Sequence, residues 1–161
     1  MVMASSQSVG AEQRLSDLGI ELPTPPRPFG AYVESVQSGR LLFLSGMLPV
    51  VDHKPKYVGR LGQELDTESG RDALRTASMS ALSAARAHLG TLDKVTRIVR
   101  LGVYLATSGD FFDQPKVADA ASELFESIFG KEKTSVRMVL GVASLPLGMP
   151  VELEVIMEVA E

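Results

Sequence analysis

Ser135-Val-Arg-Met-Val-Leu-Gly-Val-Ala-Ser-Leu-Pro-Leu-Gly-Met-Pro-Val-Glu-Leu-Glu-Val-Ile156 is the stretch from which the fold of this chain is read. With a period of two, its first half places Val136, Met138, Leu140 and Val142 on one side and Arg137, Val139 and Gly141 on the other. That is a strand carrying a single cation among apolar neighbours. The second half alternates again, with Val151, Leu153, Val155, Met157 and Val159 on one face and Glu152, Glu154, Ile156 and Glu158 on the other. The two prolines and the glycine of Leu-Pro-Leu-Gly-Met-Pro between them cannot continue a ladder and mark a turn or bulged connection. The simplest arrangement is two neighbouring strands whose non-core faces bring Arg137 near Glu152.

Upstream, a second helix is signalled by Asp113 two residues before Pro115, then Val117, Ala121, Leu124, Phe125 and Ile128 at helical spacing, with Gly130 as stop. Before it, Val95 to Ala106 reads as a long strand, with Val95, Val99, Leu101, Val103 and Leu105 inward and Arg97 breaking the apolar face near its start. The first long helix begins at Asp66-Thr67, keeps Glu68 in its first turn and runs to Leu89 before Gly90. Its stripe of Ala73, Ala77, Ala81, Ala84 and Ala85 with Leu74 and Leu82 lets a helix lie close on a sheet. His88, near its end, is read as solvated or as a contact of the helix C-terminus, with no chemistry assigned.

Ala31 to Val36 and Leu41 to Ser45 are expected to pair as a hairpin turning at Ser38-Gly39, the second strand apolar without alternation as if covered on both faces. Pro49 to Gln63, holding the lone His53, reads as an excursion with a short strand around Tyr57-Val58 and as the best candidate for a mobile lid. Residues 1–27 are expected to form a tail, with a polar tip, a short helix between Gly10 and Leu18 and a proline-rich lead-in, ahead of one domain over 28–161.

Composition bounds what the chain can do. Its 161 residues suffice for one domain with a real core, and the formal charge of -4 with a pI near 5.3 argues against extended contact with nucleic acid. Without cysteine there is neither a disulfide framework nor a thiolate nucleophile, and two histidines are too few for a standard zinc site, so no metal is expected. No signal-like N-terminus and no apolar run of roughly 18 residues is present, so a cytoplasmic protein without membrane partners is the default.

The element order is therefore β-β-(β)-α-β-α-β-β, an α+β layer with both helices on one face of a single mixed sheet. Two helices cannot cover both faces of such a sheet. The other face, expected to carry Val139, Ile156, Tyr104, Arg137 and Glu152, should be covered by another subunit.

Gly30-Ala31-Tyr32, Leu44-Ser45-Gly46, Asp110-Phe111, and above all Arg137 followed by Leu145-Pro146 and Val151-Glu152-Leu153-Glu154, resemble the reactive intermediate deaminase family, RidA/YjgF, also labelled endoribonuclease L-PSP. The resemblance covers roughly 28–158, and the lead-in looks like that of a subgroup with an extended N-terminus. It implies a chorismate-mutase-like fold of the bacillus type, assembled as a homotrimeric barrel with helices outside and three clefts between subunits. It also implies hydrolysis of enamine or imine acids to 2-oxo acids and ammonia, with no cofactor. On that resemblance Arg137 would hold the substrate carboxylate, Glu152 would position the attacking water, Tyr32 would line the cleft and Gly46 would offer a backbone contact. Val139 would line the same cleft, standing where the family often has cysteine. Three further positions depart from the family's pattern: Met47 after Ser-Gly, Glu34 after the tyrosine motif, and Ala118 or Asp119 in place of an asparagine.

These residue types suit that chemistry. A guanidinium holds a carboxylate bidentately at any working pH, and a partly buried glutamate can orient or deprotonate water. From the residues alone, Arg137 and Glu152 could equally be a cross-strand ion pair at a subunit interface, Tyr32 an interface aromatic and Gly46 a strand-ending turn residue. A non-catalytic trimer that binds small carboxylates or proteins is the alternative function. An endoribonuclease is disfavoured by the net charge and by the lack of a suitable histidine pair.

Overall fold

A computed structural model describes residues 8–161. The chain runs α1 (Ala11–Asp17), β1 (Ser35–Ser38), β2 (Leu41–Leu44), β3 (Val50–Val51), β4 (Lys54–Pro55), α2 (Thr67–Leu89), β5 (Val95–Ala106), α3 (Gln114–Phe129), β6 (Val136–Val142) and β7 (Val151–Val159). One five-stranded mixed sheet has the order β1-β2-β7-β5-β6, in which only β5 and β6 are parallel.

Local chemistry sets the helices as expected. The Asp66 carboxylate accepts from Ser69 N at 2.8 Å, and Gly90 closes α2 with φ 82°, a left-handed conformation that glycine adopts freely. The alanine stripe of α2 and the stripe of Val117, Ala121, Leu124, Phe125 and Ile128 on α3 are buried against one face of the sheet. α2 lies over β7, whose Val151, Leu153, Val155, Met157 and Val159 are each 0% exposed, and α3 packs on β5 and β6. Full burial of side chains of this size contributes about 1.5–3 kcal/mol apiece. Helix α1 packs on α3 and places Leu15 in the same core.

Several expectations change. The segment from Pro49 has no strand at Tyr57-Val58; it forms β3 and β4, paired only with each other, so the sheet is not single. Nor is this segment free to act as a lid. Gly59 N donates to Gly148 O and Leu61 N to Ala106 O, both at 2.9 Å, the Tyr57 hydroxyl reaches Asp72 at 2.6 Å, and the Leu61 side chain is fully buried. β1 begins at Ser35 rather than Ala31, because Tyr32 folds back: its amide donates to Gly30 O and its hydroxyl accepts from Phe29 N, both at 3.0 Å.

Strand β5 spans the expected residues, but its register against β7 shifts between Val95 and Arg97 and again between Ile98 and Arg100. These bulges turn Ile98, not Val99, into the core. β2 alternates rather than being covered on both faces: Leu42 and Leu44 are buried, whereas Leu41 and Phe43 are exposed.

The largest correction concerns β6 and β7, which are not neighbours, since β5 lies between them. Arg137 sits opposite Leu101, whose side chain is in the core, and Glu152 sits opposite Tyr104. Arg137 and Val139 therefore lie on the helix side, and Glu152 on the other. The open face is instead made by Val36, Phe43, Val136, Met138 and Leu140, with Ile156, Tyr104 and Glu152.

Candidate active site

Glu152 stands where β2 has ended and the chain continues beside β7. Met47 and Leu153 exchange backbone hydrogen bonds at 2.8 and 2.9 Å, which carries Gly46 against the Glu152 side chain. A Cβ on Gly46 would overlap Glu152 Oε1 and lie 3.0 Å from its Cδ, so the missing side chain makes the room that this carboxylate occupies. Gly46 has no left-handed φ, and space alone explains it. Met47 is buried in the core, so that departure from the family pattern does not reach the cleft.

The Glu152 carboxylate is half-buried and has no hydrogen-bond partner among the described residues. Burial pushes it above its ordinary value, because desolvation disfavours the charged form. Its neighbours are treated differently. Glu154 accepts from Arg100 Nε at 3.0 Å with the Tyr104 hydroxyl 3.5 Å away, and Glu158 accepts from Thr96 at 2.5 Å with Arg40 at 3.7 Å. Of the glutamates on this face, Glu152 is the one left to act on something else.

Two clefts meet at this carboxylate. One, of about 350 Å3, lies between Tyr32, Gly46, Pro146 and Glu152; the other, of about 610 Å3, opens over Phe43, Tyr104, Leu145 and Glu154. Tyr32, Gly46 and Glu152 are thus brought together. A larger hollow of about 780 Å3, between the lead-in prolines and the β3–β4 hairpin, is lined by His53 but by none of Tyr32, Gly46, Arg137, Val139 and Glu152.

Arg137 and Val139 are not part of either cleft. They lie on β6, the edge strand, with Val139 packed against the core. Arg137 Nη1 donates to Asp119 Oδ1 at 2.8 Å and to Ser122 Oγ at 3.1 Å, both from α3. Sequence reasoning did not find this pair of partners; their i, i+3 spacing on the polar side of α3 was the available signal. Ala118 is fully buried, so Asp119 is the residue at the arginine. The Nε and Nη2 groups of Arg137 have no partner among the described residues, and together they form the edge with which a guanidinium grips a carboxylate.

Glu34, whose carbonyl accepts from Ser45 N at 2.9 Å, is also raised by burial. His88 contributes no chemistry to the cleft; its ring nitrogens lie 3.0 Å from Ser35 Oγ and 3.1 Å from Gln37 Oε1, tying the end of α2 to β1. The described residues contain no group of histidine and carboxylate side chains that could hold a metal ion.

An α+β protein with two helices on one face of a mixed sheet, an uncovered opposite face and a cleft around a perturbed glutamate defines the class. The chain belongs to the YjgF/RidA family: the family model described as YjgF/chorismate-mutase-like endoribonuclease matches residues 12–159. The chain is 39% identical over 158 residues to Protein TCP17 of Trypanosoma cruzi, covering 98% of this chain and 97% of that one. It is 27% identical over 135 residues to the 2-iminobutanoate/2-iminopropanoate deaminase of Dermatophagoides farinae, covering 84% and 91% of the two chains. The crystal structure of Atu1372 from Agrobacterium tumefaciens, a protein of unknown function, superposes with a TM-score of 0.85 at 32% identity, covering 93% and 92%.

Proposed function

We propose that this protein is an imine deaminase, hydrolysing 2-imino acids to 2-oxo acids and ammonia at clefts shared between copies of the chain. The observation that carries this reading is Glu152, half-buried, raised in pKa and without a partner among the described residues, in a cleft with Tyr32 and Gly46. Family membership and the relative named as a deaminase support it.

Arg137 lies on the other side of the sheet from Glu152 within one chain. A site that uses both takes Arg137 from one copy and Glu152 from another. The assembly is a homotrimer, with sheets inside and helices outside, which covers the apolar open face and the β6 edge at once.

In that site the Nε and Nη2 groups of Arg137 hold the substrate carboxylate, and Tyr32 and Val139 line the cleft. Glu152 orients a water molecule and takes its proton as the oxygen adds to the iminium carbon. Glu152 returns that proton to the carbinolamine nitrogen, and as the C–N bond breaks the hydroxyl proton passes through the Glu152 carboxylate to the departing ammonia. The iminium acid and one water thereby become a 2-oxo acid and an ammonium ion. The iminium carbon is already electrophilic, so positioning supplies the acceleration.

Generating 2-iminobutanoate in situ and following its loss tests the reading. Acceleration by the wild type that disappears in Arg137→Ala and Glu152→Gln is expected. No acceleration, with Arg137-dependent carboxylate binding retained, would replace the enzyme with a non-catalytic binding protein.

A further inference from the structure

Arg137 is not a bare cation. Both hydrogens of its Nη1 are committed to α3, one to Asp119 and one to Ser122, while the Nε and Nη2 edge is left open. The Asp119 side chain is half exposed and that of Arg137 26% exposed, so neither charge is lost in the core. An incoming carboxylate on the open edge therefore meets a guanidinium whose charge is already offset by a second carboxylate on the adjacent nitrogen.

We infer that Asp119 is a specificity-determining residue, selecting carboxylates that carry their own positive charge over plain carboxylate anions. The inference rests on Arg137 being the carboxylate-holding group proposed above. A 2-iminium acid has a cation beside its carboxylate and is neutral overall, so the Asp119 charge costs it little and attracts the iminium end. The 2-oxo acid formed by hydrolysis keeps the carboxylate and loses the cation, so Asp119 repels it. The same aspartate thus favours substrate over product, and it needs no contact with either beyond the guanidinium it shares.

Ordinary anchoring of Arg137 makes a different prediction. Asn at 119 can still accept from Nη1 through its carbonyl oxygen, so an anchoring role alone survives Asp119→Asn and is lost in Asp119→Ala. A role that depends on charge changes in both.

The test is calorimetric titration of wild type, Asp119→Asn, Asp119→Ala and Arg137→Ala with 2-oxobutanoate, a plain anion, and 2-aminobutanoate, a stable zwitterion standing in for the iminium acid. For two like charges separated by a guanidinium at a partly exposed site, Asp119→Asn is expected to tighten 2-oxobutanoate about fivefold and to leave 2-aminobutanoate unchanged or weaker. High salt should shrink the difference between variant and wild type. An unchanged ratio of the two affinities in Asp119→Asn, or equal weakening of both ligands in Asp119→Ala with none in Asp119→Asn, overturns the inference and leaves Asp119 as an anchor. Binding that does not depend on Arg137 overturns the reading of Arg137 itself, and the inference falls with it. In turnover, Asp119→Asn should show stronger inhibition by the 2-oxo acid with KM for the imine no lower than in wild type.

Discussion

Glu152 and Gly46 act as one unit, because the room for the carboxylate is the side chain that Gly46 lacks. Gly46→Ala should displace that carboxylate and cost about 1–3 kcal/mol through overpacking, with turnover falling by more than stability does. A melting curve and a rate measured on the same sample check it, and full activity in the variant would remove Gly46 from the site. The raised pKa of Glu152 has its own consequence. Burial disfavours the charge, so the folded protein holds this proton to a higher pH than the unfolded chain does. The stabilising contribution of that proton is present at acid pH and is lost as pH rises from the unfolded value through the raised folded one. Glu152→Gln cannot ionise and escapes this loss. Its melting temperature relative to wild type should therefore rise across that window, and a difference independent of pH would contradict the assignment.

At the scale of elements, the segment from Pro49 to Gln63 behaves as a fastened strap. Its β3–β4 tip carries His53 stacked on Phe29 with ring centroids 4.1 Å apart, and Phe29 N in turn holds the Tyr32 hydroxyl. Amide hydrogen exchange should show Gly59 and Leu61 protected like strand residues, whereas exchange at the rate of an open loop would restore the lid. Leu61 is packed against Gly70 of α2, so Leu61→Ala should cost about 2–5 kcal/mol by leaving a cavity between strap and helix. The bulges of β5 belong to the same scale. They aim Arg97 outward, where Nη2 reaches Thr134 O at 3.2 Å, and they place Arg100 beside Glu154.

Across the whole molecule, one sheet face is sealed by helices and the other leaves Val136 at 70%, Met138 at 50% and Val36 at 52% exposure. Apart from Glu152, the charged groups at the centre of that open face are paired, Arg100 with Glu154 and Glu158 with Thr96, so covering it strands few charges. Light scattering should give three times the chain mass of 17.3 kDa. Met138→Asp, which places a charge in the proposed interface, should yield a folded monomer without deaminase activity. A wild type that stays monomeric at micromolar concentration would remove the trimer and the shared site together. The described residues include no helix long and apolar enough to cross a membrane.

Sequence by itself determined the elements whose signals are local. The Asp66 cap, the Gly90 stop, the alanine stripe of α2 and the alternation of β7 each need only neighbours along the chain, and each lies where the pattern put it. Of the residues singled out along the chain, Tyr32, Gly46 and Glu152 share one cleft, whereas Arg137 and Val139 lie outside it. What the tertiary structure decided was orientation. β6 carries apolar residues on both of its faces, so alternation cannot say which face turns inward; the parallel register with β5, Leu101 opposite Arg137, does. That register depends on a strand inserted between β6 and β7 from more than thirty residues upstream, and no period along the chain encodes it. It puts Arg137 under α3 and Glu152 on the far side, and so separates, within one chain, two residues that alternation alone placed side by side.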